Sequence, residues 1–134
     1  MSARAALAAA ALLCAGPALA DSCWTHNGSL MRLGANGEKR AFAYEVPRKG
    51  LADIGVKPGD TVFWGATDGR TYSGQAKVFS TECPGEATSY AVSGPVLDGG
   101  TRVVLTGQRR LYRACAPTGE FVTDTLVFVY ARQC

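Results

Sequence analysis

Apolar and polar positions in this chain alternate over short stretches, broken by turn-forming pairs. Ser29 to Leu33 reads as a first strand, and Arg40 to Val46 as a second. In the second, Phe42, Tyr44 and Val46 share one face, while Ala41, Ala43 and Glu45 share the other. Asn36-Gly37 between them tolerates the positive φ angles of a tight hairpin. Thr61 to Trp64 and Arg70 to Phe79 form a second pair around Asp68-Gly69. Tyr90 to Ser93 and Thr101 to Thr106 form a third around Asp98-Gly99-Gly100. Leu111 to Ala114 extends a strand after a break at Gly107. Thr125 to Ala131 is almost wholly apolar, which suits a central or doubly covered strand. One helical piece, bracketed by Pro47 and Gly55, is expected around Lys49 to Ile54, with Leu51 and Ile54 tucked under one end of the sheet.

Seven to eight short strands and one helical turn predict an all-β domain, either a small antiparallel barrel or a two-sheet sandwich. The barrel is preferred. Consecutive hairpins give a meander, and closure removes exposed edges.

Residues 1–20 carry a different pattern. A basic start at Arg4, an apolar run from Ala5 to Ala15 and Ala18-Leu19-Ala20 before Asp21 read as a secretory signal peptide. Residues 21–134 are then a single β domain, periplasmic or secreted. A lipidated Cys14 is the competing reading of the leader, but Leu12 and Leu13 precede it where lipoprotein signals carry small residues. No later stretch is apolar for long enough to span a membrane as a helix.

Of 14 basic residues, Arg4 leaves with the leader, so 13 face 11 acidic ones. That balance is too mild and too dispersed to indicate nucleic acid or anionic lipid.

Four cysteines remain after the leader: Cys23, Cys83, Cys115 and Cys134. Export favours disulfides, and four cysteines allow three pairings. Cys23–Cys134 is preferred because those residues sit just outside the first and last strands, which meet when a meander barrel closes. Cys83–Cys115 follows, at loop positions that share a barrel end. Zinc ligands usually come as closely spaced pairs. The long gaps and the single histidine therefore argue against a metal, and no C-x-x-C exists for redox chemistry. No cofactor is expected.

Candidate ligand contacts are Trp24, His26, Tyr44, Arg48 and Arg110. Trp24-Thr25-His26-Asn27-Gly28-Ser29 holds the only histidine beside an aromatic platform. Its plainer reading is a tryptophan capping the barrel end and a turn into the first strand. Glu45 and Arg48 form a carboxylate–guanidinium pair for a polar ligand, or a solvated surface contact of little energy. Arg109-Arg110, Tyr112 and Arg113 make a basic aromatic cluster suited to an acidic partner or anionic glycan. Arg109 and Arg110 point to opposite faces of a regular strand. The serines lack a nucleophile-elbow context, and no spacing brings a specific carboxylate pair together, so no catalytic set is assigned.

Several segments together resemble a family of small exported bacterial proteins of unassigned function. They are Cys23-Trp24-x-His26-Asn27-Gly28-Ser29-x-Met31-x-Leu33, Tyr44-Glu45-x-Pro47-Arg48-x-Gly50, Gly55-Val56-x-Pro58-Gly59, Tyr72-Ser73-Gly74-x-Ala76-x-x-Phe79-Ser80-x-x-Cys83 and Asp124-Thr125-Leu126-Val127-Phe128. The resemblance implies export and a shared fold, and no activity. In size and architecture only, the chain is also similar to periplasmic lysozyme inhibitors.

The expectation is an exported, non-enzymatic β-barrel that binds an envelope protein or glycan. An envelope-acting hydrolase using His26 and a purely structural envelope protein are the alternatives.

Overall fold

The computed structural model describes residues 21–83, 85 and 87–134. The expected leader, with Cys14, lies outside the described residues.

Eight strands run in sequence order around a closed antiparallel barrel: β1 (Ser22–His26), β2 (Ser29–Asn36), β3 (Lys39–Val46), β4 (Thr61–Thr67), β5 (Thr71–Phe79), β6 (Ala87–Leu97), β7 (Arg102–Arg113) and β8 (Ala116–Gln133). Each pairs with the next, and β1 pairs with β8 to close the ring. No described helix is long and apolar enough to cross a membrane.

An eight-stranded barrel is just wide enough for side chains to fill it. Here the filling is aromatic. Phe42, Phe63 and Phe128 are fully buried, with Trp24, Tyr44, Tyr72 and Tyr90 nearly so. Phe42 and Phe128 stack at 3.9 Å between centroids with planes 5° apart. Trp24 meets Phe42 edge-on at 5.5 Å.

Close strand approach at the barrel's bends needs glycine. A Cβ on Gly107 would lie 2.0 Å from the Ala91 carbonyl oxygen, and one on Gly94 would lie 1.7 Å from that of Val104. Both glycines sit on the β6–β7 side, where the ladder is sparse.

Both preferred disulfides are present, Cys23–Cys134 across the closing strands and Cys83–Cys115 at the opposite end of the chain's hairpins. The single helical turn lies where expected, as a 3-10 turn (Leu51–Ile54) with Leu51 buried; a second, Asp98–Gly100, sits in the β6–β7 turn.

Three details differ from the sequence reading. Cys23 to His26 is a strand, so Cys23 lies within β1 rather than before the first strand. Gly107 does not break its strand, because β7 runs through it. β8 begins at Ala116, and its first half pairs with β7 in a hairpin arm reaching beyond the barrel wall. The tip of that arm turns at Ala114 and Cys115, with φ of 51° and 64°. Two non-glycine residues in left-handed backbone are costly unless their surroundings hold them. The Cys83–Cys115 bond anchors this tip to the chain between β5 and β6.

Candidate functional site at the barrel mouth

One end of the barrel is left open as a cleft of about 220 Å³ lined by His26, Tyr44, Arg48, Tyr90, Arg109 and Asp124, among others. Strand parity puts these side chains there. His26 ends β1 on the same face as Trp24, and the Asn27-Gly28 turn that follows has φ of 48° and 81°, the paired positive angles of a tight hairpin. Arg48 leaves β3 as the chain crosses that turn. Its backbone N–H donates to Ser29 Oγ at 2.9 Å, and its side chain passes over Gly28, whose missing Cβ would lie 3.6 Å from Arg48 Cδ.

His26 is 7% exposed. Its Nδ1 lies 3.0 Å from the Val127 carbonyl oxygen. A carbonyl only accepts, so Nδ1 carries the hydrogen and donates it. Burial pushes the imidazole below its ordinary range. The bond to Val127 and the Asp124 carboxylate pull it back up. The neutral ring therefore has Nε2 as a lone-pair acceptor. Nε2 has no protein partner and is not sealed from solvent, so it faces the cleft.

Beside it is a three-residue polar group. Tyr90 donates its hydroxyl to Asp124 Oδ2 at 2.5 Å. Arg109 Nε lies 3.3 Å from the same oxygen, within ion-pair distance. It lacks the alignment of a hydrogen bond, and it is the one sealed-off side-chain polar atom without a bonding partner among the described residues. Burial first, then the bond to Asp124, pushes the Tyr90 hydroxyl well above the usual phenol range. Gly107, directly opposite Asp124 in the ladder, contributes no side chain, which leaves the carboxylate room inside the wall.

Three of the five candidate contacts, His26, Tyr44 and Arg48, thus meet at one mouth. Trp24 lies deeper, its Nε1 donating to Ser22 Oγ at 2.8 Å, and borders a separate hollow toward the other end. Arg110 is on the outside wall, its guanidinium 4.9 Å from the centre of the Phe121 ring. Arg109 and Arg110 do point to opposite faces. Glu45 does not pair with Arg48. It receives two bonds from Arg32, at 2.7 and 3.1 Å, on the outer face of β2 and β3.

The Tyr90–Asp124–Arg109 group was missed in the sequence. Its signal was a charged residue continuing an inward-facing row: Asp124 in phase with Leu126 and Phe128, and Arg109 in phase with Val103 and Leu105. Among the described residues no group of acidic, histidine and cysteine side chains is arranged to hold a metal. Comparison of the chain with protein-family models, curated proteins and solved structures found no match.

Proposed function

We propose that this protein is an exported binding module that takes an acidic cell-envelope ligand at the His26 mouth without transforming it. The convergence of His26, Tyr44 and Arg48 with Arg109 in one cleft is the observation that supports this reading. Arg48 and Lys77 supply positive charge, while Arg109 shares its charge with Asp124. Tyr44 supplies a flat apolar face. His26 Nε2 supplies an acceptor for a ligand hydroxyl. The cleft's 220 Å³ is below the roughly 300–1,000 Å³ of drug-sized sites, so it accepts a small group or the end of a larger molecule. A carboxylated sugar of an envelope glycan meets all three demands. The segments that carry the family resemblance also supply His26, Tyr44, Arg48 and Asp124.

The hydrolase alternative draws on the same free Nε2. It loses ground because a backbone carbonyl, rather than a carboxylate, orients the ring, and no nucleophile is bonded to it. The purely structural alternative is disfavoured by the open mouth.

The test compares N-acetylmuramic acid with N-acetylglucosamine, which lacks the lactyl carboxylate, by calorimetry and by the NMR shifts of the His26 ring. Tighter binding of the acid, lost in Arg48→Ala, is expected. Equal indifference to both sugars sinks the reading.

A further inference from the structure

The shortest ladder of the barrel lies between β6 and β7. Other neighbours share longer ladders, from Ser22 to Thr25 where β1 meets β8 up to the continuous pairing from Thr71↔Pro95 to Phe79↔Ala87 between β5 and β6. Between β6 and β7 the paired positions are only Ser93↔Thr106, Val96↔Val103 and Leu97↔Arg102. Toward the mouth, β6 and β7 touch at Ala91 and Gly107, and beyond that contact residues 87–90 of β6 and 108–113 of β7 have no ladder pairing between them. Each strand is satisfied on its other side, by β5 and β8 respectively. Their facing edges are the open ones.

Hollows lie on both sides of this seam. One of about 240 Å³ borders Ser89, Ala91, Gln108 and Arg110 on the outer wall, and another of about 300 Å³ lies under the disulfide-tied arm. Thr88, Arg109 and Tyr112 border both, so the two hollows adjoin across the seam. Its charge is one-sided. Arg110 and Arg113 are exposed on the β7 lip with no ion-pair partner among the described residues, and Arg110 is fixed over Phe121. The described β6 lip, residues 87–90, carries no charge at all.

Open backbone edges bind another backbone, and they do so without regard to its side chains. Unpaired arginines beside such an edge select for carboxylates. We infer that the β6–β7 seam docks an extended, acidic segment of a partner protein, whose backbone bonds to the free edges and whose carboxylates pair with Arg110 and Arg113. This surface is separate from the mouth cleft's sugar-sized site and stands or falls independently of it.

The test uses the full, oxidised protein and an eight-residue peptide alternating glutamate and valine. Controls are the lysine–valine counterpart and an N-methylated glutamate–valine peptide that cannot donate backbone hydrogen bonds. Fluorescence anisotropy reads affinity, and amide hydrogen exchange reads place. The acidic peptide is expected to bind and to slow exchange at least tenfold within residues 87–90 and 108–112. The lysine peptide should not bind. N-methylation, or the exposed-site pair Arg110→Gln and Arg113→Gln, should weaken binding tenfold or more. The inference is overturned by failure of the acidic peptide to bind, by binding that leaves exchange at the seam unchanged, or by equal binding of the N-methylated peptide. Full binding by the double variant, with an unaltered melting curve, also overturns it. Arg48→Ala leaves this binding intact, which separates it from the mouth.

Discussion

The imidazole of His26 lies against the ring of Phe128, with centroids 4.4 Å apart and planes tilted by 20°. Phe128 in turn stacks on Phe42. The histidine is therefore the polar end of a column of rings that runs down the barrel axis, held at its rim by the Val127 carbonyl. A site rooted in the core has little freedom to reorient, which favours preorganised binding.

That burial makes stability depend on pH. The native ring resists protonation below its ordinary value of 6.5, while an unfolded ring does not. As pH falls below about 6.5, the unfolded state binds the extra proton first, so stability declines until the lowered native value is passed and then levels off. Thermal unfolding between about pH 8 and about pH 5 should show this decline, and His26→Gln should flatten it. An unchanged slope in the variant would assign the effect to other groups.

Tyr90→Phe removes the hydroxyl that bonds Asp124 and leaves a carboxylate oxygen in the wall with only Arg109 beside it. Hydrogen bonds to charged groups contribute about 1.5–3 kcal/mol, and a loss in that range is expected in urea unfolding. Asp124→Asn keeps an acceptor for the tyrosine but strips the half-buried Arg109 of its carboxylate, so it should cost at least as much.

Gly107→Ala forces a Cβ to within 2.0 Å of the Ala91 carbonyl oxygen, and the backbone must shift to admit it. Overpacking of this kind costs about 1–3 kcal/mol or more. Gly34→Ala is the matched control, since its Cβ would sit 3.9 Å from the nearest atom. A drop in melting temperature confined to the Gly107 variant is the expected result.

Cys83→Ala with Cys115→Ala releases the arm. For a sequence separation of 32 the chain-entropy view gives roughly 3.5–4 kcal/mol of lost stability. Because Ala114 and Cys115 hold left-handed backbone, the tip should relax as well. Faster amide exchange over residues 110–120, with the barrel below unchanged, checks this.

Much of the barrel was legible because its hairpins announce themselves. Asn36-Gly37, Asp68-Gly69 and Asp98-Gly99-Gly100 are turn residues by backbone chemistry, and the meander they imply favours the cysteine pairing that is found. β1 was hidden because it is short and its inward residues are a tryptophan and a histidine, and histidine does not count as apolar in a pattern. The continuity of β7 was hidden because Gly107 looks like a break locally. Its role, admitting the β6 backbone, exists only once the sheet has curled. Of the site, His26, Tyr44 and Arg48 were visible as unusual polar or aromatic residues near strand ends. Their meeting with Arg109 and Asp124 depends on how far each strand staggers around the ring, and no spacing in the chain encodes that.

Each strand from β1 to β7 bonds to the strand that follows it, and β8 closes the ring on β1, where Cys134 meets Cys23. Synthesis at about 5–20 residues per second puts roughly 5–20 s between the two ends. Until β8 reaches it, β1 has one side with no strand to bond and Cys23 has no partner thiol. The first residues of the domain are thus the last to become safe from other chains, and anything that stalls the ribosome or the exit path before β8 emerges leaves the nascent protein open to its neighbours.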